Sequence, residues 1–211
     1  MRTRIKICGV KTPGPVHHAA LAGADAFGLV FHEPSIRNLS IEQAARIAER
    51  KPAFMDSVAV MVNPDRDFVR TVLDRVRPDY IQFHGEESGE YCRSFGARYI
   101  RSVRVRESIR LSTVEEEYHD ASALLVDAYR GDHYGGTGDV FNWSLVDFDG
   151  TIPVILAGGL DFRNVPDAIR SIDPFAVDVS SGVETDGSKD IDKIHRFCKA
   201  VLETNREREK G

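Results

Sequence analysis

Arg4-Ile5-Lys6-Ile7-Cys8, near the start of this 211-residue chain, decides how the rest is read. Apolar Ile5 and Ile7 alternate with polar Lys6 and Cys8, and a period of two puts each pair on one face of a strand. Seven further short runs behave as strands: Ala26–Phe31, Ser57–Val62, Tyr80–His84, Tyr99–Val103, Ala123–Asp127, Val154–Ala157 and Ala176–Ser180. Each of the eight is followed by a helix or a helix-sized segment. Strands alternating with helices build a parallel sheet. Eight of them close a (β/α)8 barrel, an α/β fold of the TIM type.

The intervening helices carry their own punctuation. Ser40 with Gln43 three residues on is a capping box ahead of Ala44, Ile47 and Ala48. Phe68, Val69, Val72, Leu73 and Val76 make a stripe of helical period. Pro64 stands where that helix can begin, and Pro78 falls just past its end. Ile191, Ile194, Phe197, Cys198 and Val201 form a second stripe, in the last helix. The segment around Thr113–His119 has the least regular helical pattern. Residues 203–211 are nearly all polar and are expected to fray. With no linker, repeat or low-complexity stretch, residues 1–211 read as one domain.

Composition excludes several classes. The chain has 28 Lys and Arg against 33 Asp and Glu, a net charge of -5, which argues against a nucleic-acid binder. No apolar run reaches the ~18 residues of a membrane span, and the first residues show no signal-peptide core. Cys8, Cys92 and Cys198 are odd in number and widely spaced, which suits a reducing cytoplasm better than a disulfide framework. An acidic protein can still hold an anion, because clustered backbone N–H groups supply the positive potential.

Buried parallel strands should be almost wholly apolar. Here Lys6 and Cys8, Gln82 and His84, Asp127, and Asp178 and Ser180 interrupt them near their C-terminal ends, where barrel active sites are built. These side chains converge if their shared face is the barrel interior. The seventh run enters Ala157-Gly158-Gly159 and the eighth Ser180-Ser181-Gly182. Loops after strands seven and eight commonly hold phosphate, with glycine permitting close backbone approach. Gly158, Gly159, Ser180, Ser181 and Gly182 are therefore the expected phosphate site.

The chain resembles the phosphoribosylanthranilate isomerases of tryptophan biosynthesis. The likeness lies in Lys6-Ile7-Cys8-Gly9, Gly23-Ala24-Asp25-Ala26-Phe27-Gly28 and Gln82-Phe83-His84-Gly85. It continues in Leu125-Val126-Asp127, Gly135-Gly136-Thr137-Gly138 with Phe141-Asn142-Trp143, and Leu156-Ala157-Gly158-Gly159-Leu160, and ends in Val177-Asp178-Val179-Ser180-Ser181-Gly182-Val183-Glu184. The resemblance implies an Amadori rearrangement of a phosphorylated aminosugar, with Cys8 as general base and Asp127 as general acid. It matches Arg37 to the arginine associated with the anthranilate carboxylate. Where the family usually reads Ser-Pro-Arg-Tyr, this chain reads Ser35-Ile36-Arg37-Asn38, keeping the arginine without the proline or the aromatic ring.

Proton transfer of this kind needs neither metal nor cofactor. The expected partner is a small phosphosugar, and the expected assembly a monomer or homodimer. An Asp127 acid would have to stay protonated near neutral pH, and Lys6, on the same face as Cys8, would favour its thiolate. Asp178 reads as a substrate contact. Gln82 and His84 read equally as substrate contacts or an internal network, and Lys6 equally as a structural counter-ion. Gly135, Gly136 and Gly138 suggest a lid. Cys92 and Cys198 read as packing residues; adjacent His17 and His18 point apart on a helix and make no metal pair. Three alternatives remain: a related phosphosugar isomerase with another amine, an isomerase of histidine biosynthesis, which usually has an aspartate where Cys8 stands, and a silent phosphosugar-binding paralog.

Overall fold

In the computed structural model, residues 2–105, 108–127 and 146–210 are described. Eight strands form the barrel: β1 Arg4–Cys8, β2 Ala26–Phe31, β3 Asp56–Met61, β4 Tyr80–Phe83, β5 Tyr99–Arg104, β6 Ala123–Asp127, β7 Val154–Ala157 and β8 Ala176–Val179. Neighbours pair in parallel around the ring, and β1 closes it against β8 through Lys6 opposite Asp178. The strand boundaries agree with the sequence reading to within one residue.

Two apolar layers result from the period of two. Ile5, Ile7, Phe27, Leu29, Leu124 and Val177 face outward and pack beneath the helices. Val30, Val58, Val60, Ile100, Leu125, Ile155 and Ala176 fill the interior together with Cys8. Burying each large apolar side chain is worth ~1.5–3 kcal/mol, so both faces resist a one-residue register slip.

The helices that follow the strands are α1 Pro13–Leu21, α2 Ile41–Ala48, α3 Arg66–Arg75, α4 Gly89–Arg93, α5 Leu111–Glu117, α6 Val165–Ile172 and α7 Ile191–Arg208. The Ser40–Gln43 capping box forms in both directions. Pro64 does not start α3; Asp65 caps it by accepting from the Phe68 N–H at 2.7 Å, and the helix begins at Arg66. The irregular segment after β5 is helical from Leu111, whose side chain is fully buried. Between the eighth strand and α7 lie a single turn, Ser181–Val183, and a small hairpin of Glu184–Thr185 with Ser188–Lys189. Among the described residues no helix is long and apolar enough to cross a membrane.

The C-terminal segment needs correction. Residues 203–211 were expected to fray, yet α7 continues to Arg208 with Thr204 and Asn205 buried. The Asn205 side chain accepts from the Thr3 N–H at 2.9 Å and donates to the Thr3 carbonyl at 3.0 Å. A polar residue thus serves the otherwise unpaired backbone ahead of β1, a use that polarity alone does not reveal.

Candidate active site

Lys6, Cys8, Gln82, His84, Asp127 and Asp178 all continue the inward-facing alternation of their strands. On β1, Cys8 belongs to the interior cluster, and on β6 Asp127 follows the interior residues Ala123 and Leu125. β1 and β6 are separated by β7 and β8 around the ring, so the thiol and the carboxyl rise from different parts of one wall.

The Cys8 side is dry and crowded with charge. Lys6 Nζ donates to Asp178 Oδ1 at 3.0 Å, and both side chains are almost fully buried. Burial would lower the Lys6 ammonium, but Asp178 and Cys8 outweigh it and hold it charged. Burial pushes the Cys8 thiol above its ordinary value, Asp178 adds to the rise, and Lys6 and Lys189 oppose it. The expected help from Lys6 is therefore present, but desolvation exceeds it in the substrate-free protein. Gly28 makes room for the thiol: a Cβ there would stand 2.6 Å from Cys8 Sγ and 3.1 Å from its Cα.

The Asp127 side is more open. His84 Nε2 lies 3.3 Å from Asp127 Oδ2, with both side chains about one-fifth exposed. Gln82 Nε2 is 3.1 Å from His84 Nδ1 and donates to Ser102 Oγ at 3.2 Å. With the amide nitrogen on that side, Nδ1 accepts and Nε2 carries the proton facing Asp127. Arg104 lies opposite Asp127 in the β5–β6 register, and its Nη2 donates to the His84 carbonyl at 3.0 Å. Gln82 and His84 thus form an internal network that ends on the carboxyl; the network reading and the substrate reading are compatible.

The glycines after β7 take positive φ, +90° at Gly158 and +67° at Gly159. A Cβ on Gly182 would sit 1.9 Å from the Leu160 carbonyl oxygen, so only glycine lets the two loops meet. The Ser180 hydroxyl is not turned outward as the phosphate reading expected. It donates to the Cys8 carbonyl at 3.1 Å and takes a hydrogen bond from Lys189 at 3.3 Å.

Arg37 reaches the same rim but is already engaged. Its Nε donates to Glu184 Oε1 at 2.7 Å, and its Nη2 meets Glu184 Oε2. Glu184 also takes Lys189 Nζ at 2.5 Å, and Lys189 is almost wholly buried. Burial would raise the Glu184 carboxyl, but Arg37 and Lys189 outweigh it and hold it below the usual carboxylate range. The Arg37 stem crosses Gly9, where φ is +79° and a Cβ would lie 2.4 Å from Arg37 Cδ.

Sequence reasoning missed Ser102, Arg104 and Lys189. The first two continue the inward alternation from Ile100: Ser102 lies within the strand read from the sequence, and Arg104 follows from extending it by one residue. Lys189 carries no local signal, because its burial depends on a hairpin folding back over the barrel. Gly135, Gly136 and Gly138, the expected lid, lie outside the described residues. Among those described, no three His, Cys, Asp or Glu side chains gather as a metal site requires.

Comparison with known proteins points to one family. Residues 5–200 match the family of N-(5'-phosphoribosyl)anthranilate (PRA) isomerases. An N-(5'-phosphoribosyl)anthranilate isomerase of Legionella pneumophila strain Philadelphia 1 is 41% identical over 201 residues, covering 95% of this chain and 97% of that protein. The crystal structure of phosphoribosyl anthranilate isomerase from Thermotoga maritima superposes with a TM-score of 0.84 at 36% identity, over 95% of this chain and 99% of that one. A phosphoribosyl anthranilate isomerase in complex with reduced 1-(o-carboxyphenylamino)-1-deoxyribulose 5-phosphate gives 0.78 at 33% identity, over 95% and 99%.

Proposed function

The chain belongs to the N-(5'-phosphoribosyl)anthranilate isomerase family, and from that premise we propose how its residues share out the reaction. The protein is an isomerase that converts N-(5-phosphoribosyl)anthranilate to 1-(2-carboxyphenylamino)-1-deoxyribulose 5-phosphate in tryptophan biosynthesis. Asp127 gives a proton to the furanose ring oxygen as the C1–O bond breaks, and the nitrogen lone pair completes a protonated Schiff base. Cys8 removes the proton from C2, and the C–H electrons form the C1=C2 bond while the C=N electrons return to nitrogen. The enolamine then gains a proton at C1 and loses the one on its C2 hydroxyl, leaving the ketone. Each positioned acid or base is typically worth ~10²–10⁴-fold.

The observation that supports this division is that Cys8 and Asp127 both end inward-facing rows at the C-terminal rim of one closed barrel. Asp178 and Lys6 keep the thiol in a charge-balanced pocket, and His84 with Gln82 orients the Asp127 carboxyl. Arg37 is assigned to the anthranilate carboxylate, and Gly158, Gly159, Ser181 and Gly182 to the phosphate. In that assignment Ser180 contributes by tying its loop to Cys8. Three free thiols support a reducing, cytoplasmic setting.

The purified protein should consume phosphoribosylanthranilate, read as loss of arylamine fluorescence, without added metal. Absence of turnover, or turnover that depends on an added divalent ion, would overturn the assignment.

A further inference from the structure

We propose that Glu184 is a positioning residue that aims Arg37 at the carboxylate of the arylamine substrate. The inference rests on the reading that Arg37 receives that carboxylate. A guanidinium has five N–H donors, four of which make two forks. Glu184 takes the fork made by Nε and one Nη2 hydrogen. Among the described residues no hydrogen-bond partner faces Nη1, so the second fork, Nη1 with the other Nη2 hydrogen, is left for a carboxylate from outside.

Three features keep that fork in one direction. Glu184 cannot swing away, because its side chain is 6% exposed and Lys189 Nζ holds Oε1 at 2.5 Å. Its backbone is fixed as well, since Lys193 Nζ donates to the Glu184 carbonyl at 2.6 Å. The Arg37 stem lies against Gly9, the residue after Cys8, with no room for a side chain between them. Arg37 itself is 23% exposed, so the guanidinium reaches the rim while its anchor does not. This anchoring compensates in part for the loop Ser35-Ile36-Arg37-Asn38, which has no proline to stiffen it. Fixing a fork before binding avoids the cost of ordering a long side chain on each encounter.

The test compares two substrates of the full chain: phosphoribosylanthranilate and the aniline counterpart that lacks the carboxylate. The readout is the ratio of their kcat/KM values. Glu184→Gln should collapse that ratio by about tenfold to a hundredfold, the worth of a hydrogen bond between charged groups. The loss should appear mainly as a higher KM for the carboxylated substrate. In an Arg37→Ala background the same substitution should lower the ratio no further. Because Glu184→Gln leaves buried Lys189 without its counter-ion, Glu184→Gln with Lys189→Met serves as a charge-neutral second variant, with the same collapse expected. Equal loss for both substrates would overturn the proposal, since it would mark a general loop defect. Tighter binding of the carboxylated substrate would overturn it too, since Glu184 would then be a competitor for Arg37. A wild-type protein that turns over both substrates alike would remove the Arg37 reading beneath it, a failure visible before any variant is made.

Discussion

The two sides of the barrel mouth handle their proposed proton carriers differently. Cys8 is 8% exposed, packed against Gly28, and surrounded by Lys6, Asp178 and Lys189. Asp127 is about one-fifth exposed and leans on His84, which in turn leans on Gln82. The proposed base sits in a dry cage of two ammonium groups and one carboxylate. The proposed acid sits at a wetter rim, held by hydrogen bonds that run through His84 to Gln82. A thiol is protonated at neutral pH by default, so its cage needs to make ionisation affordable only when substrate fills the site. A carboxyl must exchange protons every cycle, which contact with solvent allows.

The largest expected effects test whether both sides carry protons at all. Cys8→Ala and Asp127→Asn should each lower kcat by ~10²–10⁴-fold while retaining affinity for a phosphate ligand measured by calorimetry. Near wild-type turnover in both would erase the contrast. Gly28→Ala should strike the dry side alone: the new methyl displaces the thiol, and an ångström of misplacement costs on the order of a hundredfold in kcat. If kcat is held, the close packing seen at Gly28 has no catalytic consequence. His84→Asn should strike the open side by roughly tenfold, the worth of one hydrogen bond to a charged group; an unchanged kcat would detach His84 from the acid.

The smallest effect is a displacement of the pH profile. Burial raises the thiol, and the base works only when deprotonated, so kcat/KM should keep climbing with pH beyond the ordinary thiol range. Asp178 adds to that rise. Asp178→Asn should therefore move the ascending limb to lower pH. A limb that moves upward or stays in place would show that Asp178 does not govern the thiol.

The fold was legible because its signal is local and repeated. Each strand announces itself by a period of two, and the eight runs differ from the observed strands only at their tips. The placing of Cys8 and Asp127 at the inner rim was legible for the same reason: polar residues break an apolar alternation at strand ends. Long-range pairings were not legible. Nothing near Asn205 tells that it pairs with Thr3, and nothing near Lys189 tells that a hairpin buries it beside Glu184. The net direction of the Cys8 shift was not legible either, since spacing reveals the neighbouring ammonium but not how completely water is excluded.

The seam between the first and last strands carries one more implication. Lys6 and Asp178 are 172 residues apart in sequence, yet they share the ion pair beneath the thiol. A contact of such high sequence separation costs a large loop-closure entropy unless the intervening strands are already in place. As the chain folds, most of the apolar wall can assemble while the ring still gapes, but no arrangement of that partial wall presents Cys8 in its cage. Chemical competence therefore arrives only with ring closure, so that an incompletely folded chain is catalytically silent.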